Sequence, residues 1–290
     1  MDYVGRFAPS PTGPLHYGSL VAAVASFLDA RHAGGKWLLR IEDLDPPRES
    51  IDAPQEIIRQ LLALGLHWDL EVLCQSSRLS SYDAALEAIQ PFTFPCTCSR
   101  KAVPDVYPGT CRLRKQLTAN GPYAVRLRVP RRSVSINDRC LGLQTWDLEK
   151  EVGDFVIKRK DGLHAYQLAV VVDDIHCSVS HIVRGNDLLD STPRQLALYE
   201  HLQVPPPEYL HIPVLVDESG NKLSKQAHAK PVDTSDALTT IRSALSDLGQ
   251  NTHDYSLNIK ELLEKAASSW NPASIPNVHD ICAPNAYLSS

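Results

Sequence analysis

An α/β domain built around a parallel sheet is the fold class this sequence predicts, and three observations carry the prediction. Short apolar runs alternate along the chain with segments of helical period. The first run, around Tyr3, Val4, Phe7 and Ala8, ends in a turn holding three prolines and two glycines, and a helix-like stretch follows at once. Between residues 96 and 177 the alternation breaks, so an insertion interrupts the sheet.

Each element has its own local cause. The opening strand, turn and helix (residues 20–28) form an anion site in an α/β fold, because the first backbone N–H groups of a helix have no partner inside it. His16 and Gly18 lie at that junction, where a nucleotide can approach the backbone. Residues 36–41 are a second buried strand, ending at the acidic run Glu42-Asp43-Leu44-Asp45. Residues 53–66 are helical, with Ile57, Leu61, Leu62 and Leu64 apolar. Residues 80–89 form another helix, ended by Pro91 and Pro95. Inside the insertion, residues 123–129 alternate as a strand, and 154–159 are similar. The βα rhythm resumes with a strand at 181–184, a helix at 192–202 and a strand at 211–216. Helices at 235–248 and 258–269 follow, and the last twenty residues read as loosely held. The domains expected are 1–95 and 178–230 as two halves of a Rossmann-like body, 96–177 inserted between them, and 231–290 as a short helical C-terminal region.

A chain of 290 residues can bury one or two cores. It has no run of eighteen apolar residues and no signal-peptide pattern, so a soluble, cytoplasmic protein without a membrane partner is expected. Nothing points to an obligate partner subunit, and a monomer is expected. The net charge of −5 argues against a general nucleic-acid coat. Yet nine basic side chains stand between Arg100 and Arg132 against the single acid Asp105, enough for a local phosphate-binding surface or a solvated face.

Seven cysteines, an odd number without secretory context, do not read as disulfides. Cys96, Cys98 and Cys111 cluster, and three thiolates with one further ligand make a structural zinc site. Water, a carboxylate such as Asp105, or nothing can fill the fourth corner. Cys74, Cys140, Cys177 and Cys282 are isolated.

Ligands of an open parallel sheet lie beyond the carboxyl ends of its strands. Arg6 to Ser10, Glu42, Arg184 and the loop carrying Lys225 fall there. Arg6 and Arg184 offer guanidinium forks to carboxylates, Glu42 offers an anion to an ammonium, and Tyr166 can close the pocket with its hydroxyl. That set complements an α-amino acid with a second carboxylate. Arg40 and Asp43 beside it serve equally well in a structural ion pair, so Glu42 alone does not decide the reading.

The run Arg6-Phe7-Ala8-Pro9-Ser10-Pro11-Thr12-Gly13-Pro14-Leu15-His16-Tyr17-Gly18-Ser19 and the loop Lys222-Leu223-Ser224-Lys225-Gln226 resemble the two signatures of the class I aminoacyl-tRNA synthetases. Leu39 to Asp45, Asp161 to Asp174 and Val183 to Leu189 are similar to the glutamyl branch. The resemblance implies the class I nucleotide-binding fold with a zinc-containing insertion that meets the RNA acceptor end. It implies activation of L-glutamate by ATP with Mg2+. Glutamate would lie against Arg6, Phe7, Ala8, Pro9, Ser10, Glu42, Tyr166 and Arg184. ATP would lie against His16, Gly18, Ser19, Lys222 and Lys225, with His16 and Lys225 as the catalytic pair. The family's metal pattern maps onto Cys96, Cys98, Tyr107 and Cys111. Ser19 departs from the second histidine of the first signature and Gln226 from the end of the second. Only about sixty residues follow Lys230, too few for a helical anticodon-reading domain. The chain therefore resembles the truncated relatives, the glutamyl-Q tRNA(Asp) synthetases, which also carry the Cys-x-Cys, Tyr-x-x-x-Cys insertion and a run like Asp190 to Gln195. This implies transfer of glutamate to queuosine of tRNA(Asp). A short glutamyl-tRNA synthetase charging a tRNA 3′ end, and a silent tRNA-binding paralogue, remain as alternatives.

Overall fold

The computed structural model of the protein describes residues 2–113, 121–220, 222, 230–251, 258–284 and 287. Strand β1 (Val4–Phe7) leads through helix α1 (Tyr17–His32) to β2 (Lys36–Ile41), which pairs with it in parallel, Val4 beside Lys36 and Phe7 beside Leu39. From Trp37 onward every β2 residue is buried, the mark of a parallel strand covered on both faces. Helix α1 is buried over most of its length, in keeping with a largely apolar sequence in which Ser26 and Asp29 are buried polar exceptions. Trp37 sets its ring edge-on to Phe27 at 5.2 Å and donates its indole N–H to Ser26 Oγ at 2.9 Å.

Helix α2 (Ala53–Ala63) leads to the short β3 (Leu73–Cys74), parallel to β2, and α3 (Leu79–Ala88) follows. The chain then leaves the parallel layer. Strands β4 (Thr93–Cys96), β5 (Ala124–Leu127) and β8 (Phe155–Lys158) form an antiparallel sheet in the order β4-β5-β8. Between β5 and β8 the hairpin β6 (Ser133–Asp138) and β7 (Gly142–Asp147) projects. Helix α4 (Tyr166–His176) carries the chain back. Then β9 (His181–Gly185), α5 (Thr192–His201) and β10 (Glu208–Ile212) repeat the parallel unit. The two halves meet where Ser180 N donates to the Val4 carbonyl at 3.0 Å.

Three features differ from the sequence prediction. The expected strand at 211–216 is two strands, β10 and β11 (Val214–Val216), because Pro213 has no N–H for a ladder. The β6–β7 hairpin has no counterpart in the prediction. The last twenty residues are anchored where described: β12 (Asp280–Cys282) pairs in parallel with β11, and Tyr287 stacks on Tyr17 at 3.8 Å. A three-residue strand recruited across the chain leaves no local periodicity to read.

Helices α6 (Ala237–Asp247) and α7 (Ile259–Ser268) cover α1. The buried carboxylate of Asp29 ties these layers together. It accepts two bonds from Arg139 at 2.6 and 2.9 Å, one from the Trp270 indole at 2.8 Å, and one from the Tyr3 hydroxyl. Among the described residues no helix is long and apolar enough to cross a membrane.

Candidate active site

Beyond Phe7 the chain can extend neither strand nor helix, since Pro9 and Pro11 fix φ and lack donors. Their carbonyls still organise the turn: Glu42 N donates to Pro9 O at 3.0 Å and Ser50 N to Pro11 O at 2.9 Å. This turn, the start of α1 and the carboxyl ends of β1, β9 and β10 border a cavity of about 600 Å³. Arg6, Phe7, Ala8, Pro9 and Ser10 line it, as do Glu42, Tyr166 and Arg184. His16, Gly18, Ser19 and Lys222 line the same space. Lys225 lies outside the described residues.

The charges behind that lining are ordered. Arg6 Nε reaches Asp174 Oδ1 at 3.4 Å, and its terminal nitrogens make no hydrogen bond among the described residues. Arg40 bridges Asp174 Oδ1 at 2.5 Å and Glu42 Oε1 at 3.1 Å. Burial opposes the Arg40 charge, but Asp174 and Glu42 outweigh it and hold the guanidinium firmly protonated. Burial raises the pKa of Glu42, and the nearby Arg40 and Arg6 pull the other way. Arg6, Arg40, Glu42 and Asp174 therefore balance. Arg184 stands apart: at 4 % exposure its hydrogen-bond partners among the described residues are neutral, His211 Nε2 at 3.1 Å, Gln195 Oε1 at 2.9 Å and Thr192 Oγ1 at 2.9 Å. A buried cation without a carboxylate is costly unless something anionic comes to it.

At the other end, His16 caps α1. Its Nδ1 accepts from Ser19 N at 3.2 Å and its Nε2 lies 3.0 Å from Ser19 Oγ. Ser19, where the family has a second histidine, thus fixes the first. A Cβ at Gly18 would stand 3.3 Å from both Cε1 and Nδ1 of His16, so the glycine leaves the imidazole its room. Lys222 donates to Asp187 Oδ2 at 2.5 Å, Pro231 bridges to His16, and Val232 N donates to Leu15 O at 2.8 Å. The described flanks of the lysine motif therefore stand at the rim holding the histidine turn.

Comparison with known proteins decides the family. The tRNA synthetases class I (E and Q), catalytic domain, matches residues 3–101 and 109–245. A protein of Pseudomonas putida named Glutamyl-Q tRNA(Asp) synthetase is 48% identical over 281 residues, covering 94% of this chain and 93% of its own. One of the same name from Cupriavidus metallidurans is 51% identical over 264 residues, covering 85% and 84%. The chain belongs to the glutamyl-Q tRNA(Asp) synthetase family of class I tRNA synthetases. The glutamate-tRNA synthetase of Elizabethkingia anophelis shares its fold, with a TM-score of 0.82 at 22% identity over 99% of this chain and 69% of that one.

The insertion holds the cysteine cluster of this synthetase. The Sγ atoms of Cys96, Cys98 and Cys111 lie within 4.8 Å of one another, with Cys98 and Cys111 3.6 Å apart. Ligands about 2.3 Å from a tetrahedral zinc stand about 3.8 Å apart, so the spacing fits a metal. Tyr107 OH is 3.6 Å from Cys96 Sγ and 3.8 Å from Cys98 Sγ, and it accepts from Cys111 N at 2.7 Å. Asp105 is not part of the cluster. Burial raises the Tyr107 pKa, and bonding to Cys111 and Cys96 adds to it.

The basic stretch behaves differently from a continuous cationic face. Arg126 is buried, lies over the Tyr107 ring at 3.9 Å and donates to Asp154 O at 2.7 Å. Arg112 pairs with Asp154 at 3.1 Å, and Arg128 donates to the carbonyls of Pro91 and Arg112 at 3.2 Å. These three hold the insertion together. Arg131 and Arg132 remain at the surface, paired with Glu149 and Glu200. Arg114 and Lys115 lie outside the described residues.

Sequence reasoning assigned no site role to Asp174, Asp138 or His211. Asp174 was signalled by two adjacent acids in the apolar run of α4, a pattern that implies buried cationic partners. His211 was signalled by being the one ionisable group in the otherwise apolar stretch 210–216.

Proposed function

We propose that the chain activates L-glutamate with ATP and transfers the glutamyl group to the cyclopentene-diol of queuosine in tRNA(Asp). One observation carries the reading: an unpaired, buried guanidinium and an acidic side chain share a single cavity with the histidine-capped helix start. In the first step a glutamate carboxylate oxygen attacks the α-phosphorus of ATP, and pyrophosphate leaves. In the second a queuosine hydroxyl attacks the acyl carbon, and AMP leaves. Arg184 and Arg6 hold carboxylate, and Glu42 holds the ammonium. His16 and the first N–H groups of α1 steady the phosphates, and Lys225, with Lys222, neutralises charge on the departing pyrophosphate. Mg2+ enters with ATP rather than in a dedicated protein cage. Cys96, Cys98, Cys111 and Tyr107 hold a zinc ion that keeps the insertion in shape and takes no part in either step. The relatives' name, Glutamyl-Q tRNA(Asp) synthetase, favours this acceptor over a tRNA 3′ end.

The test is transfer of labelled glutamate to matched tRNA(Asp) with and without queuosine. Label on the queuosine-bearing RNA alone is expected. Equal labelling of both would favour the terminal-charging alternative, and no glutamate-dependent pyrophosphate release would favour the silent paralogue.

A further inference from the structure

Arg184 is held from behind by a chain of buried groups. His211 is fully buried, and Asp138, at the end of β6, is 2 % exposed. Asp138 accepts four N–H groups. Cys140 N and Leu141 N, each at 3.0 Å, point at Oδ1, and His211 Nδ1 donates to Oδ2 at 2.6 Å. His211 N is 3.2 Å from both oxygens. Because Nδ1 carries the proton, Nε2 presents its lone pair, and Arg184 Nε donates to it at 3.1 Å. Thr192 Oγ1, 3.4 Å from Nε2, offers a second donor to the same lone pair. Burial holds His211 neutral, which keeps a second positive charge away from the guanidinium. With Gln195 and Thr192 taking one N–H from each terminal nitrogen, three of the five guanidinium donors are fixed and two are left.

We propose that Asp138 and His211 are positioning residues that set the histidine tautomer and thereby aim the free N–H groups of Arg184 at a substrate carboxylate. This rests on the glutamate-binding reading of Arg184. The β6–β7 hairpin, which lies outside the parallel body, thus contributes to amino-acid binding through its last β6 residue. Asp138→Asn makes a specific conflict. The turn amides of Cys140 and Leu141 keep the amide oxygen, so the amide nitrogen faces His211 Nδ1 as a donor. The ring must then carry its proton on Nε2, directed at the Nε–H of Arg184.

The experiment is glutamate-dependent ATP–pyrophosphate exchange with tRNA(Asp) present, on the parent, Asp138→Asn, His211→Leu and His211→Gln. Loss of a hydrogen bond to a charged group predicts a rise in glutamate KM of about 10- to 100-fold for Asp138→Asn and His211→Leu, with ATP KM within about twofold. His211→Gln, whose amide oxygen can accept the Arg184 Nε–H, stays closer to the parent. An unchanged glutamate KM in folded Asp138→Asn, or equal rises in both KM values, would overturn the relay. If the variants do not fold, long-range ¹H–¹⁵N spectra of the parent decide. A non-titrating imidazole with its proton on Nδ1 is expected for His211, and a proton on Nε2 refutes the proposal. A parent without any exchange would count against the proposed function instead, and the tautomer would still be readable.

Discussion

Arg184→Gln separates a binding cation from a structural one. Three of the five guanidinium N–H groups in Arg184 meet neutral acceptors, and two remain for substrate. A hydrogen bond to a charged group contributes about 1.5–3 kcal/mol, so two contribute about 3–6 kcal/mol. At 1.4 kcal/mol per factor of ten, kcat/KM for glutamate should fall by about two to four orders of magnitude. Folding stability should respond differently. Three hydrogen bonds to neutral acceptors are lost, which destabilises, but a buried charge without a carboxylate is removed, which stabilises. The two oppose, and Tm should move by no more than about 4 °C. ATP–pyrophosphate exchange at varied glutamate, alongside thermal melting, reads both. A variant that melts far lower yet keeps its glutamate kcat/KM would refute the assignment of Arg184 to substrate.

Glu42 must be ionised to hold an ammonium, and burial raises its pKa. Glutamate KM should therefore climb as pH falls through a value above the ordinary glutamate carboxyl range, and Glu42→Gln should erase that limb while raising KM at every pH. Burial would raise the Asp29 pKa, but the bonds from Arg139, Tyr3 and Trp270 carry it below its usual value. Its stabilisation is therefore present above about pH 4 and lost as pH falls through the lowered pKa. Asp29→Asn should cost about 3 kcal/mol at pH 7, at the low end for a buried pair because Arg139 is partly exposed, and should flatten the acid limb of a denaturant-stability profile. Purified protein should hold about one zinc per chain, and Cys98→Ser should release it and loosen the insertion without abolishing pyrophosphate exchange. Metal analysis with limited proteolysis checks this, and zinc-free parent protein would refute it.

Local signals made the catalytic half legible. Residues 36–41 form β2 as predicted because Trp37, Leu38, Leu39 and Ile41 put apolar side chains on both faces of a buried parallel strand, interrupted only by Arg40, which is paired with Asp174 and Glu42. The residues proposed for the site were readable as neighbours because they sit at strand ends and at the start of α1, where the topology gathers those described around one cavity. Two kinds of feature escaped. The β6–β7 hairpin is polar on its outer face, with Ser133, Ser135 and Asn137 exposed, so its alternation resembles a loop. The Asp138–His211–Arg184 chain joins residues 73 and 27 positions apart, and no spacing rule links them. The arginines at 112, 126 and 128 counted toward a phosphate-binding surface, but their partners include Asp154 and the backbone carbonyls of Pro91, Arg112, Val129 and Asp154. Charge counts along a chain do not distinguish a solvated guanidinium from a packed one.

The union of amino-acid and nucleotide sites in one cavity is tested most directly by a crystal structure with a non-hydrolysable glutamyl-adenylate analogue. A ligand carboxylate against Arg184 is expected, with its ammonium at Glu42 and its adenosine beside His16 and Gly18. An analogue whose glutamyl group lies away from Arg184 and Glu42, or whose adenosine fills the space between them, would contradict the account.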